Sequence, residues 1–348
     1  MLYAFGSNGS GQLGLGHCDD VCVPSKVFLA APETTAKPSK IAAGGNHTLL
    51  LLSTGDMYAC GLNTDGRYGT VANQHQHTIF QKIEIQYSPT QIISKFRLCA
   101  ATWESSTFVD EDGRVFTSGT GHKGQLGQGP SVSSCGTPTL IHGFPPLGTQ
   151  IVDLVASMGH TVAVLSDGSV YGWGTGRKGQ LGQPSRDCWI PRKVESIPFH
   201  AMRAACGKDF TYIVGDAGEG QHLIFGSDKW QVVSAAPREV HGWRDISASW
   251  SNIYVLLDSG ILLAWGRNDH GQIPSEGLAS VTKLAAGSEH VLVFNGAIGT
   301  CLAYGWGEHG NCGDLKGNQD APVSGSPVLV EPEVLQMGAG CATSWIIT

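Results

Sequence analysis

Thirteen histidines and ten cysteines in 348 residues are the side chains from which a metal, redox or acid–base site would first be built. No two cysteines form a CxxC pair. The tightest spacing, Cys18-x-x-x-Cys22 beside His17, offers three ligands with no fourth at a recognisable distance. His75-Gln76-His77 puts two imidazoles on one extended stretch, again without a cysteine or carboxylate at ligand spacing, so a solvated loop is expected. Gly9-Ser10-Gly11-Gln12-Leu13-Gly14 fits the G-x-G-x-x-G of dinucleotide sites, but no helical pattern follows and the same glycines return elsewhere, which favours a turn. No Gly-x-Ser-x-Gly elbow in a strand-Ser-helix context is found.

His47, His160 and His290 occupy one recurring position, filled in other copies by Ser105, Phe210, Asn252 and Thr343. A position repeated in this way is expected to make a structural contact, its imidazole bonding a neighbouring backbone group. Acid–base catalysis would need a carboxylate within reach. Only Glu289 beside His290 and Glu308 beside His309 offer one, and neighbours along a strand point apart.

The elements that carry these residues come from two interleaved repeats. The first reads aromatic-x-aromatic-Gly, a polar loop, then Gly-Gln-Leu-Gly, as in Tyr3–Gly14 and Tyr171–Gly182. Its leading glycines are read as Gly6, Gly61, Gly119, Gly174, Gly226, Gly266 and Gly307, at steps of 55, 58, 55, 52, 40 and 41 residues. The second reads apolar-Ala-x-Gly-x-x-His-Thr, clearest at Ile41–Thr48 and Leu284–His290. Between them lie β-prone runs around Thr54-Gly55, Asp112-Gly113, Asp167-Gly168 and Ser259-Gly260, which are hairpin signals. Each unit is therefore expected to be a four-stranded antiparallel sheet, and seven of them an all-β, seven-bladed propeller forming one domain over residues 1–348. Met1–Gly6 reads as the second half of a hairpin and Ser344–Thr348 as a first half, so the ring is expected to close by pairing the two terminal strands.

Composition agrees with many turns: 48 glycines are about twice the usual share of roughly 7%. A formal net charge of −7 with no basic run argues against a nucleic-acid backbone as main partner. No signal peptide or membrane-length apolar run is found, so an intracellular protein with reduced thiols and no membrane partner is expected.

Function is then sought in the loops entering each second-segment strand, which a propeller gathers at one end. Two of them carry tryptophan, Trp103 and Trp250, where a tight loop prefers small residues; each would be a plug for the central funnel or an interface anchor. Arg67, His122-Lys123, Arg177-Lys178, Arg267 and His309 precede the Gly-Gln-Leu-Gly turns, as solvated cations or as groups steering an acidic partner.

The repeat resembles that of the regulator of chromosome condensation family of seven-bladed propellers over nearly the whole chain. The stretches Tyr304–Cys312 (YGWGEHGNC), Lys316-Gly317, Gly340–Ile347, Leu2–Gly16, Gly44–His47 and Gly207–Phe210 are similar to the fungal alpha-tubulin-suppressor, or killer-toxin-insensitivity, branch. Gly69 to Leu98 and Gly215 to Asp245 depart most from the repeat. The resemblance implies a non-enzymatic, cofactor-free scaffold of cytoplasm and nucleus. It would form a heterodimer with a small zinc- or iron-binding protein of the diphthamide pathway. Through that partner it would support diphthamide formation on elongation factor two and Elongator-dependent modification of tRNA wobble uridines. The expected partner-binding residues are Trp103, Glu104, Lys208, Asp209, Trp250, Glu289, His290, Glu308 and His309. The founding member of the family implies the alternative, a guanine-nucleotide exchange factor for a small GTPase.

Overall fold

The computed structural model describes residues 1–348 apart from 31–35, 70–74, 276–277, 323 and 329–333. Its strands form eight antiparallel sheets: seven blades, numbered here in chain order, and a separate hairpin of Ile85–Ser88 and Gln91–Ile93 between blades one and two. Blade one is Pro38–Ala43, His47–Leu52, Met57–Leu62 and Gln76–Lys82; blade two is Phe96–Ala101, Ser105–Asp110, Val115–Thr120 and Ser134–Leu140; blade three is Ile151–Ala156, His160–Leu165, Val170–Gly174 and Cys188–Lys193. Blade four has Arg203–Cys206, Phe210–Val214 and His222–Gly226, and blade five Trp243–Ala248, Asn252–Leu257 and Leu262–Gly266. Blade six is Val281–Ala286, His290–Asn295, Thr300–Gly305 and Ser326–Val328.

Blade seven closes the ring. Gln336–Ala339 and Thr343–Ile347 come from one end of the chain, Leu2–Gly6 and Val21–Lys26 from the other. The expected terminal pairing is present, with Leu2 opposite Ile347 and Phe5 opposite Ser344. First strands of successive blades touch one another around the whole circle, so each lines a central channel. Second strands are buried on both faces because each is sandwiched between neighbouring blades.

Two expectations about the repeat are corrected. Blades four and five have three strands among the described residues, not four. After Gly226 the chain takes a 3-10 turn at Lys229–Gln231 in place of an outer strand. These are the blades spanned by the two shortest repeat steps, too short for a further strand and its connections.

The second correction is a register. The leading glycine of blade six is Gly305, not Gly307. Gly6, Gly61, Gly119, Gly174, Gly226, Gly266 and Gly305 all have φ between +96° and +123°. A Cβ on any of them would lie 2.2 to 2.4 Å from the carbonyl oxygen of the loop joining the first and second strands of its own blade. That same carbonyl accepts a hydrogen bond from the residue after the glycine, as in Thr175 N–H to Gly159 O at 2.7 Å and Trp306 N–H to Glu289 O at 3.0 Å. Only glycine allows this approach. Tyr304-Gly305-Trp306-Gly307 contains two glycines that each follow an aromatic residue, and Gly307 has no such φ.

Candidate functional site

The glycine-pinned loops between first and second strands gather at one mouth of the channel, together with the loops that follow each third strand. Neighbouring inner loops are stitched by backbone bonds: Gly45 N–H to Trp103 O (3.0 Å), Trp103 N–H to Met158 O (3.1 Å), Lys208 N–H to Trp250 O (3.0 Å), Trp250 N–H to Ser288 O (2.9 Å) and Ser288 N–H to Gly340 O (2.9 Å). This belt satisfies backbone groups that would otherwise be stranded at the mouth and makes it a rigid platform.

Trp103 from blade two and Trp250 from blade five meet across the channel, ring centroids 5.9 Å apart and tilted by 45°. Both are half-buried. Gly45 makes room for Trp103: a Cβ there would lie 2.8 Å from its ring. Beneath the pair is a chamber of about 90 Å³ lined by Ala43, Ala101, Ala156, Ala248, Ala286 and Ala339, where larger side chains would block the narrowing channel. The tryptophans therefore plug the funnel, and their outer faces remain in the platform. Lys208 Nζ sits 5.4 Å above the Trp250 ring, a cation–π contact.

Beside the plug lies a cleft of about 370 Å³ lined by Trp103, Glu104, Lys123, Met158, Lys208 and Asp209. Gly159 and Thr175, both small and both from blade three's loops, also line it. Four of the expected contact residues, Trp103, Glu104, Lys208 and Asp209, are thus brought together, with Trp250 adjoining. Glu308 and His309 are exposed on blade six, outside this cleft, and His309 Nδ1 pairs with Asp20 at 3.0 Å.

Glu289 and His290 do not stand on the platform as contact residues. Both are buried, Glu289 in an ion pair with Arg267 at 3.1 Å and His290 inside the blade boundary. His290 Nε2 lies 2.9 Å from Ser344 Oγ; His47 and Ser106, and His160 and Thr211, are each 3.0 Å apart. The nearest partner is a side-chain hydroxyl of the next blade, and for His160 and His290 the neighbouring backbone groups of Phe210 and Thr343 also contribute, as expected. Thr211 and Ser344 spend their hydroxyl protons on Gln180 O and Asn311 O, so Nε2–H of His160 and His290 must donate. Burial pushes His47 down to about 3 and His160 and His290 down to about 4, so all three are neutral.

The loop cations divide. Arg67 is buried against Asp65 at 2.7 Å, and Arg267 is held by Asp269 and Glu289, so neither is free to steer a partner. Arg177 pairs with Asp187. Lys123 and Lys208 are exposed, and no ion pair reaches them among the described residues. Trp230 was not singled out in the sequence. It is 40% exposed at φ +64°, with the Arg267 guanidinium 5.1 Å and Lys229 Nζ 5.4 Å from its ring. Its signal was a tryptophan in an otherwise polar turn.

Among the described residues no group of three or more His, Cys, Asp or Glu is placed to hold a metal ion. His77 Nδ1 is taken by Tyr68 Oη at 2.8 Å, and Cys18 and Cys22 are exposed free thiols. The G-x-G-x-x-G stretch is a turn: Gln12 Oε1 accepts the Ser10 N–H at 2.8 Å, and a strand follows it, not a helix. No helix is long and apolar enough to cross a membrane among the described residues.

The family model for the RCC1-like domain matches residues 1–346. An RCC1 repeat-containing protein of Schizosaccharomyces pombe is 31% identical, with 100% of this chain and 98% of the relative covered. The secretion-regulating guanine nucleotide exchange factor of Mus musculus is 26% identical over 99% of this chain and 82% of its own length. Among solved structures, human WBSCR16 superposes with a TM-score of 0.83 at 19% identity, covering 100% of this chain and 99% of that one. Prp20p of Saccharomyces cerevisiae also reaches 0.83, at 21% identity, covering 99% and 90%. With its seven glycine-pinned blades and a family match over almost every residue, this chain belongs to the RCC1-like domain family.

Proposed function

We propose that the protein is a non-enzymatic binding scaffold whose loop platform holds a protein partner. The observation that carries the reading is the pair Trp103 and Trp250: two half-buried aromatics fixed by a backbone belt, beside a cleft that carries the exposed cations Lys123 and Lys208. Rigid aromatics next to charged groups are the composition of binding hot spots. The sequence resemblance supports a particular partner, the small zinc- or iron-binding protein of the diphthamide pathway. The chain would position that partner's metal centre for the diphthamide enzymes and for Elongator, in cytoplasm and nucleus, without a cofactor of its own. Titration calorimetry with the zinc-loaded partner tests this. A one-to-one complex of sub-micromolar affinity is expected, and no heat with no co-elution on gel filtration would contradict it.

A second reading, nucleotide exchange on a small GTPase, is favoured by the mouse relative that is named for that activity. Loops inserted from such a platform displace nucleotide without catalytic side chains. Release of labelled GDP on mixing with a nuclear GTPase would support it over the first.

A further inference from the structure

An outermost strand leaves a row of N–H and C=O groups unpaired, and proteins blunt such edges. In this ring the five outer strands are all blunted. Pro24, Pro138, Pro191 and Pro327 interrupt those of blades seven, two, three and six. The proline-free outer strand of blade one is covered by the chain itself, through Phe80 N–H to Phe28 O (3.0 Å) and Ala30 N–H to Phe80 O (2.8 Å). In blade five, which lacks an outer strand, the edge is covered at one end, where Leu262 N–H is bonded to Leu278 O at 3.1 Å; no backbone bond reaches Ala264 or Gly266 from outside the blade among the described residues.

Among the described residues blade four has no such device. Ser227 N–H to Asp209 O (2.9 Å) and Gly215 N–H to Gln221 O (2.8 Å) fix the pairing of His222–Gly226 with its neighbour. In that register His222, Ile224 and Gly226 turn their N–H and C=O groups outward. Among the described residues none of these backbone groups meets a hydrogen-bond partner. The whole strand is half-buried, whereas the third strands of the four-stranded blades are mostly buried. The connection that follows runs along the blade-five side: Val232 and Val240 are buried with Trp265, Trp265 Nε1–H donates to Val232 O at 2.8 Å, and His222 Nε2 lies 2.9 Å from Pro237 O.

The other flank is cationic. The Gly179 turn of blade three abuts Gly226, and Phe225 packs on blade three's core. Lys178 and Arg186 on that shoulder are exposed, and no ion pair reaches them among the described residues. The Arg192 guanidinium donates to the carbonyls of Leu181 (2.8 Å) and Pro184 (3.2 Å), and no ion pair reaches it among the described residues. Arg177, Arg186 and Arg192 line a groove of about 620 Å³ that contains a single carboxylate, Asp187. This concentration of positive charge stands in a chain of net charge −7.

We infer that the rim of blade four takes an extended, acidic segment of a protein partner as its missing fourth strand. Main-chain bonds to His222, Ile224 and Gly226 supply pairing, and the blade-three cations select acidic side chains. The site is on the rim, and it stands or falls independently of the loop platform.

The test uses a nine-residue synthetic peptide alternating glutamate with valine or threonine, its lysine counterpart, and two glutamate peptides N-methylated on opposite alternations. Amide hydrogen exchange is followed in the intact protein. In the free protein the Ile224 amide should exchange at least tenfold faster than that of Gly172, which pairs with Arg192 in blade three. The glutamate peptide should protect it saturably. The lysine peptide and one N-methylated series should bind at least tenfold more weakly, the other series within twofold. Lys178→Glu with Arg186→Glu should weaken the glutamate peptide at least fivefold. An Ile224 amide already protected, no protection at millimolar peptide, equal binding of both charges, or equal loss in both N-methylated series would overturn the proposal.

Discussion

His160 Nε2 and Thr211 Oγ1 lie 3.0 Å apart across the boundary between blades three and four, the imidazole donating to a hydroxyl that itself donates to Gln180 O. The same latch joins blade one to two and six to seven. Where the histidine is absent, its counterpart varies: Phe210 faces a blade with Ile253 and Asn252 one with Val291, whereas the blades after Ser105 and Thr343 keep threonines, Thr161 without a hydrogen-bond partner among the described residues and Thr48 donating to Gln12 O at 2.7 Å. The three histidines thus fasten blades.

This predicts acid lability. Each histidine is neutral in the fold, and its ordinary value near 6.5 is restored on unfolding, so the unfolded chain binds more protons below that pH. The stabilisation is full above about pH 6.5 and is lost as pH falls towards about 4, with a slope of up to about 1.4 kcal/mol per pH unit for each histidine. Denaturant unfolding at pH 7.5, 6.5, 5.5 and 4.5 reads this slope. His160→Phe, which copies Phe210, should flatten it, and an unchanged slope would remove His160 from the account.

Gly305→Ala should destabilise by about 3 kcal/mol or more, since it combines a left-handed backbone with a Cβ driven against the Glu289 carbonyl. Gly299→Ala also has positive φ but open space around it, and about 1 kcal/mol is expected. Thermal unfolding of the two variants measures the contrast.

How far this was legible in the sequence follows from the same residues. Seven blades and their closure could be read because the aromatic-Gly and Ala-x-Gly repeats are each set by a local backbone need. The slip to Gly307 arose because the requirement at Gly305 comes from a carbonyl fifteen or more residues away in sequence. The open rim of blade four was foreshadowed by the short steps, yet a length cannot say which strand is lost. Trp103 and Trp250 stood out because a small residue was expected there. Glu289 looked like a loop carboxylate because its partner, Arg267, belongs to the preceding blade.

Glu289→Ala should therefore act on stability. Removing it leaves Arg267 with a buried face and one carboxylate fewer, at a cost of about 2–3 kcal/mol, while partner affinity changes less than threefold. Chemical denaturation and calorimetry on the same variant separate the two effects.

The most direct test of the loop platform is titration of the zinc-loaded diphthamide-pathway protein into the wild type and into Trp103→Ala/Trp250→Ala, with the variant's fold checked by circular dichroism. One-to-one binding by the wild type and a loss of tenfold or more in a folded variant is predicted, as removal of paired aromatic anchors costs about 2 kcal/mol or more. Equal affinity in both proteins, or no binding by the wild type, would contradict it.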